Sequence, residues 1–269
     1  MQLSIRHETW YRYSVAQAYS IEQLHLTPRG EPQQRVLSWK ITTPGHCSGY
    51  SDAYGNVSHM LTLNEPHDSV RILVEGVVAT TLLHGGRLLT QENLSPLIFT
   101  VSTRLTQSTP ALIALADATL PARGEKVRTA DLLRLTSHIF GAVAYVTGAT
   151  DVFSTAGEAL TLGAGVCQDH AHVFLACCHA HDIPARYVSG YIDPESTGHA
   201  ASHAWVDAWV EDADFTGWIS IDVSHNRLMT DAYCRLAIGR DYESAAPVRG
   251  MRRGGGEETM TVEATIVPV

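Results

Sequence analysis

The feature that most constrains the fold is a change of hydrophobic period along the chain. Residues 1 to about 83 contain the β-branched and aromatic runs WYRYSV, RVLSWKIT and SVRILVEGVVATTLL, separated by turn sequences rich in proline and glycine. From Pro110 the apolar residues recur at helical spacing, first to about Leu120 and then from Thr129 onward. Because strands repeat every two residues and helices about every 3.6, the pattern predicts a β-rich segment followed by helices.

The second half of the chain predicts one long helix and then further strands. VCQDHAHVFLACCHAHD indicates a helix from about Cys167 to His181, which begins after glycines and ends before Pro184. The strands predicted after this helix cover 185–192, 203–210, 217–223 and 259–267. The segments interpreted as connections or loops cover 84–109, 149–165 and 240–256. We therefore predict an α+β fold, with a β-rich domain over 1–100 and a second domain over 101–269.

Composition and charge exclude several classes of function. The chain has 269 residues, 45% of them hydrophobic, which is ordinary for a protein that buries a core. With 19 basic and 28 acidic residues the net charge is −9, so no general basic surface for nucleic acid is predicted. No apolar run of about 18 residues could span a membrane, and no secretory leader is recognisable. We expect a cytoplasmic protein with no nucleic-acid or membrane partner, and the oligomeric state cannot be read from the sequence.

The cysteines are best interpreted as free thiols in a reducing compartment. Their number is odd and their spacing does not resemble a disulfide framework. Cys167 alone lies where a glycine-containing turn becomes a helix, and free amide N–H groups at such a helix start favour a thiolate. The same amides can stabilise the oxyanion that forms when a carbonyl is attacked. Cys167 is therefore the predicted nucleophile, and the other four cysteines are predicted to have structural roles only.

A base and an acid follow from strand alternation. In HAWVDAWV the period of two places His203 and Trp205 on one face, and in GWISIDV it places Asp222 on one face with Ser220. If Val210 opposes Phe215 in the hairpin between these strands, His203 falls directly opposite Asp222. Directly opposed side chains lie about 5 Å apart at Cβ. The sequence thus predicts a catalytic triad in which His203 is the base and Asp222 orients it.

At these segments the sequence resembles the transglutaminase-like superfamily of papain-type folds. More closely, it is similar to bacterial transglutaminase-like proteins often described as candidate cysteine proteases. The matching segments are GVCQDHAH, PARYVSGYI, HAWVDAWV and GWISIDVSHN, together with LTPRGEPQQ and SDAYGNV in the β-rich first region. The resemblance implies a papain-like catalytic domain with the nucleophile at a helix start on an antiparallel sheet. It places the family's nucleophile, base and acid on Cys167, His203 and Asp222.

The substrate-binding residues predicted beside this triad are Trp205, Gln168 and Tyr191. Gln168 matches the family's motif around the nucleophile, and Trp205 shares the face of His203, where it could equally be a core or cleft-wall residue. Many relatives read Asp-Pro-Thr-Asn after the acid, whereas this chain has Val223 to Asn226 there, including His225. We interpret His225 as a surface residue rather than a second base.

Function is predicted as hydrolysis of peptide or other amide bonds through a thioester, without a cofactor. The same triad supports acyl transfer to an amine, and a non-catalytic peptide-binding module is a further alternative. A metal centre is not predicted. The histidines of the long helix lack an HExxH or CxxC pattern, and they are interpreted as solvated or hydrogen-bonded groups.

Overall fold

The computed structural model describes residues 1–89, 94–194 and 202–269, and it confirms a mixed α+β fold with antiparallel sheets. Its strands are β1 (Gln2–Gln17), β2 (Tyr19–Leu24), β3 (Gln34–Thr42), β4 (His46–Ser51), β5 (Val57–Leu63), β6 (His67–Thr80), β7 (Ala144–Tyr145), β8 (Ala164–Gly165), β9 (Ala185–Ile192), β10 (Ser202–Glu211), β11 (Thr216–Asp222), β12 (Arg227–Leu228), β13 (Tyr233–Gly239), β14 (Val248–Arg253) and β15 (Glu258–Pro268). Its helices are α1 (Pro110–Thr119), α2 (Thr129–Ala142), α3 (Ala156–Leu162), α4 (Cys167–Ala180) and α5 (Tyr242–Ala245). None of the helices in the described ranges is long and apolar enough to cross a membrane.

Two four-stranded antiparallel sheets form the β-rich part of the molecule. Their strand orders are β15-β1-β6-β3 and β14-β2-β5-β4. Alternating apolar residues of these strands, such as Leu3, Ile5 and Ile72, are fully or almost fully buried in a shared core. Burial of these side chains is the main stabilising contribution in this region.

The last strands of the chain complete these two sheets. Strand β15 pairs with β1 over eleven residues, and β14 pairs with β2 over six. The segment 248–268 therefore belongs structurally with the β-rich region, although the sequence places it within the predicted domain 101–269. Along the chain, the helices and the strands of a third, five-stranded sheet thus fall between the first and last strands of one β-rich unit.

The third sheet carries the helices and has the strand order β12-β11-β10-β9-β13. Helix α4 lies between this sheet and helices α1, α2 and α3, so that every residue from 168 to 180 is buried. A helix that is enclosed in this way needs apolar residues on all sides and a hydrogen bond for each polar one. This packing fixes the position of the first turn of α4 relative to strands β9 and β10.

Two segments interpreted as loops contain regular structure. Helix α3 lies within 149–165, and it begins at a capping box in which Thr155 and Glu158 satisfy each other's backbone N–H groups. The segment 240–256 contains α5 and β14. Strand β14 has the sequence VRGMRR, in which the arginines leave no recognisable alternation of apolar and polar residues. It forms because the edge of β2 offers it a hydrogen-bonding partner, which no local pattern can reveal.

A buried ion network joins the β-rich region to the third sheet. Arg235 on β13 donates to both carboxylate oxygens of Asp207 on β10, at 2.9 and 2.6 Å. Arg186 on β9 donates to the same carboxylate at 2.8 Å, and Glu31 lies 2.9 Å from the Arg235 guanidinium. The backbone of Arg235 is held in addition by the side-chain amide of Gln34, at 2.7 and 2.8 Å. These groups are almost completely buried, so each charge depends on the others.

Candidate active site

Cys167 is the first residue of helix α4, as the sequence predicts. The preceding residue, Val166, is extended, and its N–H donates to the Asp169 carboxylate at 2.7 Å. The Thr150 hydroxyl donates to the same oxygen at 2.7 Å. A Cβ atom at Gly165 would lie 2.6 Å from Asp169, so the turn before the nucleophile requires glycine. This arrangement leaves Cys167 at the free N–H groups of the helix start.

The remaining cysteines lie in different surroundings. Cys177, Cys178 and Cys234 are buried, whereas Cys167 is partly exposed and lines a cleft. Burial raises the pKa of the Cys177 thiol to about 12 and that of Cys178 well above its usual value. Cys47 is partly exposed, but it lies on strand β4 of the β-rich region. Only Cys167 combines exposure to the cleft with a helix start.

His203 and Asp222 meet across strands β10 and β11. The distance from His203 Nε2 to Asp222 Oδ2 is 2.7 Å. The predicted register is wrong, however, because Val210 opposes Gly217 rather than Phe215. The hairpin turn takes up Phe215, so the pairing moves by two residues. A shift of two keeps every side chain on its predicted face, and the two groups meet diagonally instead of directly.

The Asp222 carboxylate is the most heavily hydrogen-bonded acceptor of the site. Its Oδ2 accepts from His203, from His225 Nδ1 at 2.8 Å and from the Tyr233 hydroxyl at 2.7 Å. Its Oδ1 accepts from the Ser224 hydroxyl at 2.9 Å. Burial by itself would raise the pKa of Asp222, but the charge and hydrogen bond of His203, supported by His225, hold it well below its usual value. Asp222 is therefore an anion that fixes the orientation of His203.

His203 hydrogen-bonds with Asp222 and lines the same cleft as Cys167. Burial favours its neutral form, but the charges of Asp222 and Cys167, with hydrogen bonding to these side chains, outweigh burial and raise the pKa of His203 to about 10. Because Nε2 faces Asp222, Nδ1 is the nitrogen left for the thiol. The arrangement therefore favours an imidazolium that is held by a carboxylate beside the Cys167 sulfur.

Tyr145 is a site residue that the sequence patterns did not identify. It ends the two-residue strand β7, and its ring stacks on His170 with centroids 6.1 Å apart. Its hydroxyl lies close to Cys167, and both residues line the cleft. Burial, together with the charge of Cys167, raises the pKa of Tyr145 to about 12, so it remains a protonated donor. No run or spacing marks this tyrosine, because only the pairing of β7 with β8 brings it to the helix start.

Gln168 and Trp205 lie near the triad in different ways. Gln168 lines the cleft, and its side-chain amide donates to the backbone oxygen of Val152 at 3.3 Å. Trp205 has no exposed surface, and its indole N–H donates to the Ser220 hydroxyl at 3.0 Å. Its ring stacks against His203 with centroids 6.1 Å apart. Trp205 therefore packs against His203 as a buried residue. The prediction that it binds substrate is wrong, because its side chain has no exposed surface.

Tyr191 also lies away from the cleft. It follows Tyr187 and Ser189 along the same face of β9, and both of those residues line the cleft. At Tyr191 the β-rich region covers the strand, so the ring is completely buried and its hydroxyl lies 2.6 Å from His7 Nδ1. The prediction that Tyr191 binds substrate is therefore wrong in this structure. Tyr191 instead joins the two parts of the molecule.

The cleft beside Cys167 has a volume of about 940 Å³. It lies between the start of α4, the ends of β9 and β10, and the segment that follows Asp222. Such a volume is at the upper end of the range typical of small-ligand sites. Residues that line it and have chemical groups near the nucleophile are Tyr145, Gln168, His203, Ser224 and His225.

The histidines of helix α4 each have a hydrogen-bonding partner of their own. His170 contacts the backbone oxygens of residues 166 and 143, and His172 accepts the backbone N–H of Tyr242. His179 and His181 contact the backbone oxygens of residues 185 and 121. These contacts agree with their interpretation as hydrogen-bonded structural groups.

His225 is an exposed residue, as interpreted from the sequence, but it also contacts Asp222. It is 41% exposed at its side chain, but its Nδ1 contacts Asp222, and its ring centroid lies 5.3 Å from that of His203. Within the described ranges, His203, Asp222 and His225 form the one group of three side chains whose ligand atoms could hold a metal ion, all within 4.8 Å of one another. The alternation that identified His203 and Asp222 could not identify His225, because it lies in the turn after β11.

Comparisons with known proteins agree with this geometry. Residues 3–79 match the family model of the bacterial transglutaminase-like N-terminal region, and residues 115–223 match that of the transglutaminase-like superfamily. Uncharacterized proteins of Mycobacterium tuberculosis (strain H37Rv) and Mycobacterium leprae are each 29% identical over 98% of this chain, covering 92% and 98% of the relatives. The crystal structure of a candidate cysteine protease from Cytophaga hutchinsonii has a TM-score of 0.78 at 23% identity, covering 100% of this chain and 91% of that chain.

The two family models divide the chain as the fold does. The first covers strands of the β-rich region, and the second contains the three residues that meet at the start of α4. The crystal structure supports the same fold over the whole length. The chain therefore resembles a bacterial transglutaminase-like N-terminal region over residues 3–79 and the transglutaminase-like superfamily over residues 115–223.

Proposed function

We propose that this protein hydrolyses amide bonds through a thioester formed on Cys167. The observation that carries the proposal is the position of His203, which lines the same cleft as Cys167 and hydrogen-bonds with the Asp222 carboxylate at 2.7 Å. A nucleophile, a base within reach of it and a third group that orients the base are the parts that nucleophilic catalysis requires. The match of residues 115–223 to the transglutaminase-like superfamily, which contains thiol-dependent enzymes, supports the same conclusion.

Acylation uses the charged pair that the site favours. The Cys167 thiolate attacks the carbonyl carbon of the amide, and the carbonyl oxygen becomes an oxyanion. His203 then transfers its proton to the leaving nitrogen, so that the C–N bond breaks and an amine departs. Asp222 stays ionised throughout and stabilises the imidazolium. The product on the enzyme is a thioester of Cys167.

The oxyanion needs hydrogen-bond donors at the start of α4. The backbone N–H of Cys167 is one such donor, and the hydroxyl of Tyr145 lies beside it. When substrate binds, both can turn to the developing negative charge, where donors in a partly buried site stabilise the transition state most strongly.

Deacylation by water completes the hydrolysis. Neutral His203 removes a proton from a water molecule, which attacks the thioester and releases the carboxylic acid and the thiolate. The large, open cleft suits a peptide or a similar amide. Transfer to an amine uses the same thioester and remains the alternative. The cytoplasmic location and the absence of nucleic-acid and membrane partners stay predictions from the sequence.

The proposal is tested with a library of fluorogenic peptide amides, with and without a primary alkylamine. We expect amine release from part of the library and, by mass spectrometry, mainly the free acid as the second product. An amidated product in excess over the acid would instead establish acyl transfer. Binding of peptides without any turnover or thioester would identify a peptide-binding module and contradict the proposal.

Removal of the Tyr145 hydroxyl tests the proposed oxyanion donor. We expect Tyr145→Phe to lower kcat by about 10² to 10³, because one donor to the oxyanion is lost. KM should change little, since the ground-state carbonyl is a weak acceptor. Phe140→Leu is a suitable control, because Phe140 is exposed on α2 and is not a cleft residue. An unchanged kcat in Tyr145→Phe would show that the backbone N–H groups suffice.

A further inference from the structure

We propose that His203, Asp222 and His225 form a reversible binding site for a divalent transition-metal ion such as Zn²⁺, and that the bound ion blocks the triad. The inhibitory part of this inference rests on the proposed function, whereas the binding part does not. One ligand atom from each side chain lies within 4.8 Å of the other two. Two imidazoles and one carboxylate are a donor set that zinc and related ions prefer.

The surroundings of the carboxylate support such a site. The imidazole nitrogens of His203 and His225 approach the same atom, Asp222 Oδ2, at 2.7 and 2.8 Å, so the three ligand atoms are already close together. The other oxygen, Oδ1, is held by the Ser224 hydroxyl at 2.9 Å and by the backbone N–H of His225 at 3.2 Å. Hydrogen bonds of this kind orient a ligating carboxylate and strengthen metal sites.

His225 gives an ion a route into the site. Its side chain is 41% exposed and lines the cleft, whereas Asp222 is completely buried. Zinc binds nitrogen and oxygen at about 2.0–2.1 Å, so an ion must replace the present hydrogen bonds and spread the three atoms apart. The exposed imidazole can make this movement without disturbing the core.

The charges around the site favour reversible binding. Arg227 donates to the Tyr233 hydroxyl, which donates to Asp222, and its positive charge opposes the ion. We therefore expect an ion that a chelator can remove.

The bound ion would prevent catalysis in a specific way. It occupies the Asp222 oxygen and the His203 nitrogen whose hydrogen bond orients the base. The one ring proton then lies on Nδ1, so the imidazole has no free nitrogen to accept the proton of the Cys167 thiol or of the attacking water. Inhibition should be relieved when a chelator removes the ion.

Calorimetric titration of ZnCl₂ into the wild type, Cys167→Ala and His225→Asn tests the site. Asparagine keeps an N–H donor for Asp222 but is a poor zinc ligand. We expect one ion per chain in the wild type, with unchanged affinity in Cys167→Ala and at least tenfold weaker binding in His225→Asn.

Three results would overturn the inference. They are the absence of zinc binding to the wild type, loss of binding in Cys167→Ala, which would indicate coordination by the thiol, and wild-type affinity in His225→Asn. None of these measurements needs a substrate, so they stand even if the proposed hydrolysis is not found. The rate at which iodoacetamide alkylates Cys167 gives a second readout, which zinc should change in the wild type and leave unchanged in His225→Asn.

Discussion

Replacement of Cys167 by alanine is expected to lower kcat on any amide substrate by a factor on the order of 10⁶, which is the cost of removing the nucleophile of a comparable triad. Without sulfur no thioester can form, and His203 has no thiol to deprotonate. Residual turnover can come only from the oxyanion donors and from positioning. The measurement compares initial rates on a hydrolysed member of the peptide library, with mass spectrometry of trapped acyl-enzyme.

Cys47→Ala is the matched control for this experiment. Cys47 is also a partly exposed thiol, but it lies on β4 and outside the cleft. We expect wild-type rates in this variant and rapid alkylation of Cys167 in both it and the wild type. Turnover above about one hundredth of the wild-type rate in Cys167→Ala, after exclusion of contaminating protease, would disprove the nucleophile assignment.

The elements that carry the triad could be predicted because their patterns are local. The glycine turn before Cys167 and the apolar residues after it identify a helix start from a few neighbouring residues. Alternation in β10 and β11 places His203 and Asp222 on one face in the predicted register. The same holds for any register that differs from it by an even number of residues. The observed shift of two residues therefore left this part of the prediction intact.

The remaining parts of the site depend on contacts between distant segments. Tyr145 reaches Cys167 only because α2 ends beside β8, and His225 reaches Asp222 through a turn with no strong motif. Tyr191 has the alternation of a cleft residue, but the β-rich region covers it. Strand β14 likewise exists through its pairing with β2. Tertiary contacts of this kind override local patterns and cannot be read from them.

Replacement of Asp207 by asparagine is expected to lower the free energy of unfolding by about 3–5 kcal/mol. The change leaves the Arg186 and Arg235 guanidiniums buried with one negative charge fewer, while the volume of the side chain is preserved. Both arginines are almost completely buried, so water cannot replace the lost charge. Urea unfolding, followed by tryptophan fluorescence and circular dichroism, measures the difference.

An acid titration separates this charge effect from a packing effect. Burial opposes ionisation of Asp207, but Arg235 and Arg186 outweigh it and lower the pKa to about 2. Its contribution to stability is therefore complete above the unfolded value of about 4 and is lost as the pH falls through 2. Wild type should lose stability over this window, and Asp207→Asn should lose correspondingly less.

Glu243→Gln is the control, because the pair of Glu243 and Arg104 is exposed and should contribute at most about 1 kcal/mol. Equal losses in the two variants would show that the buried network contributes no more than a surface ion pair.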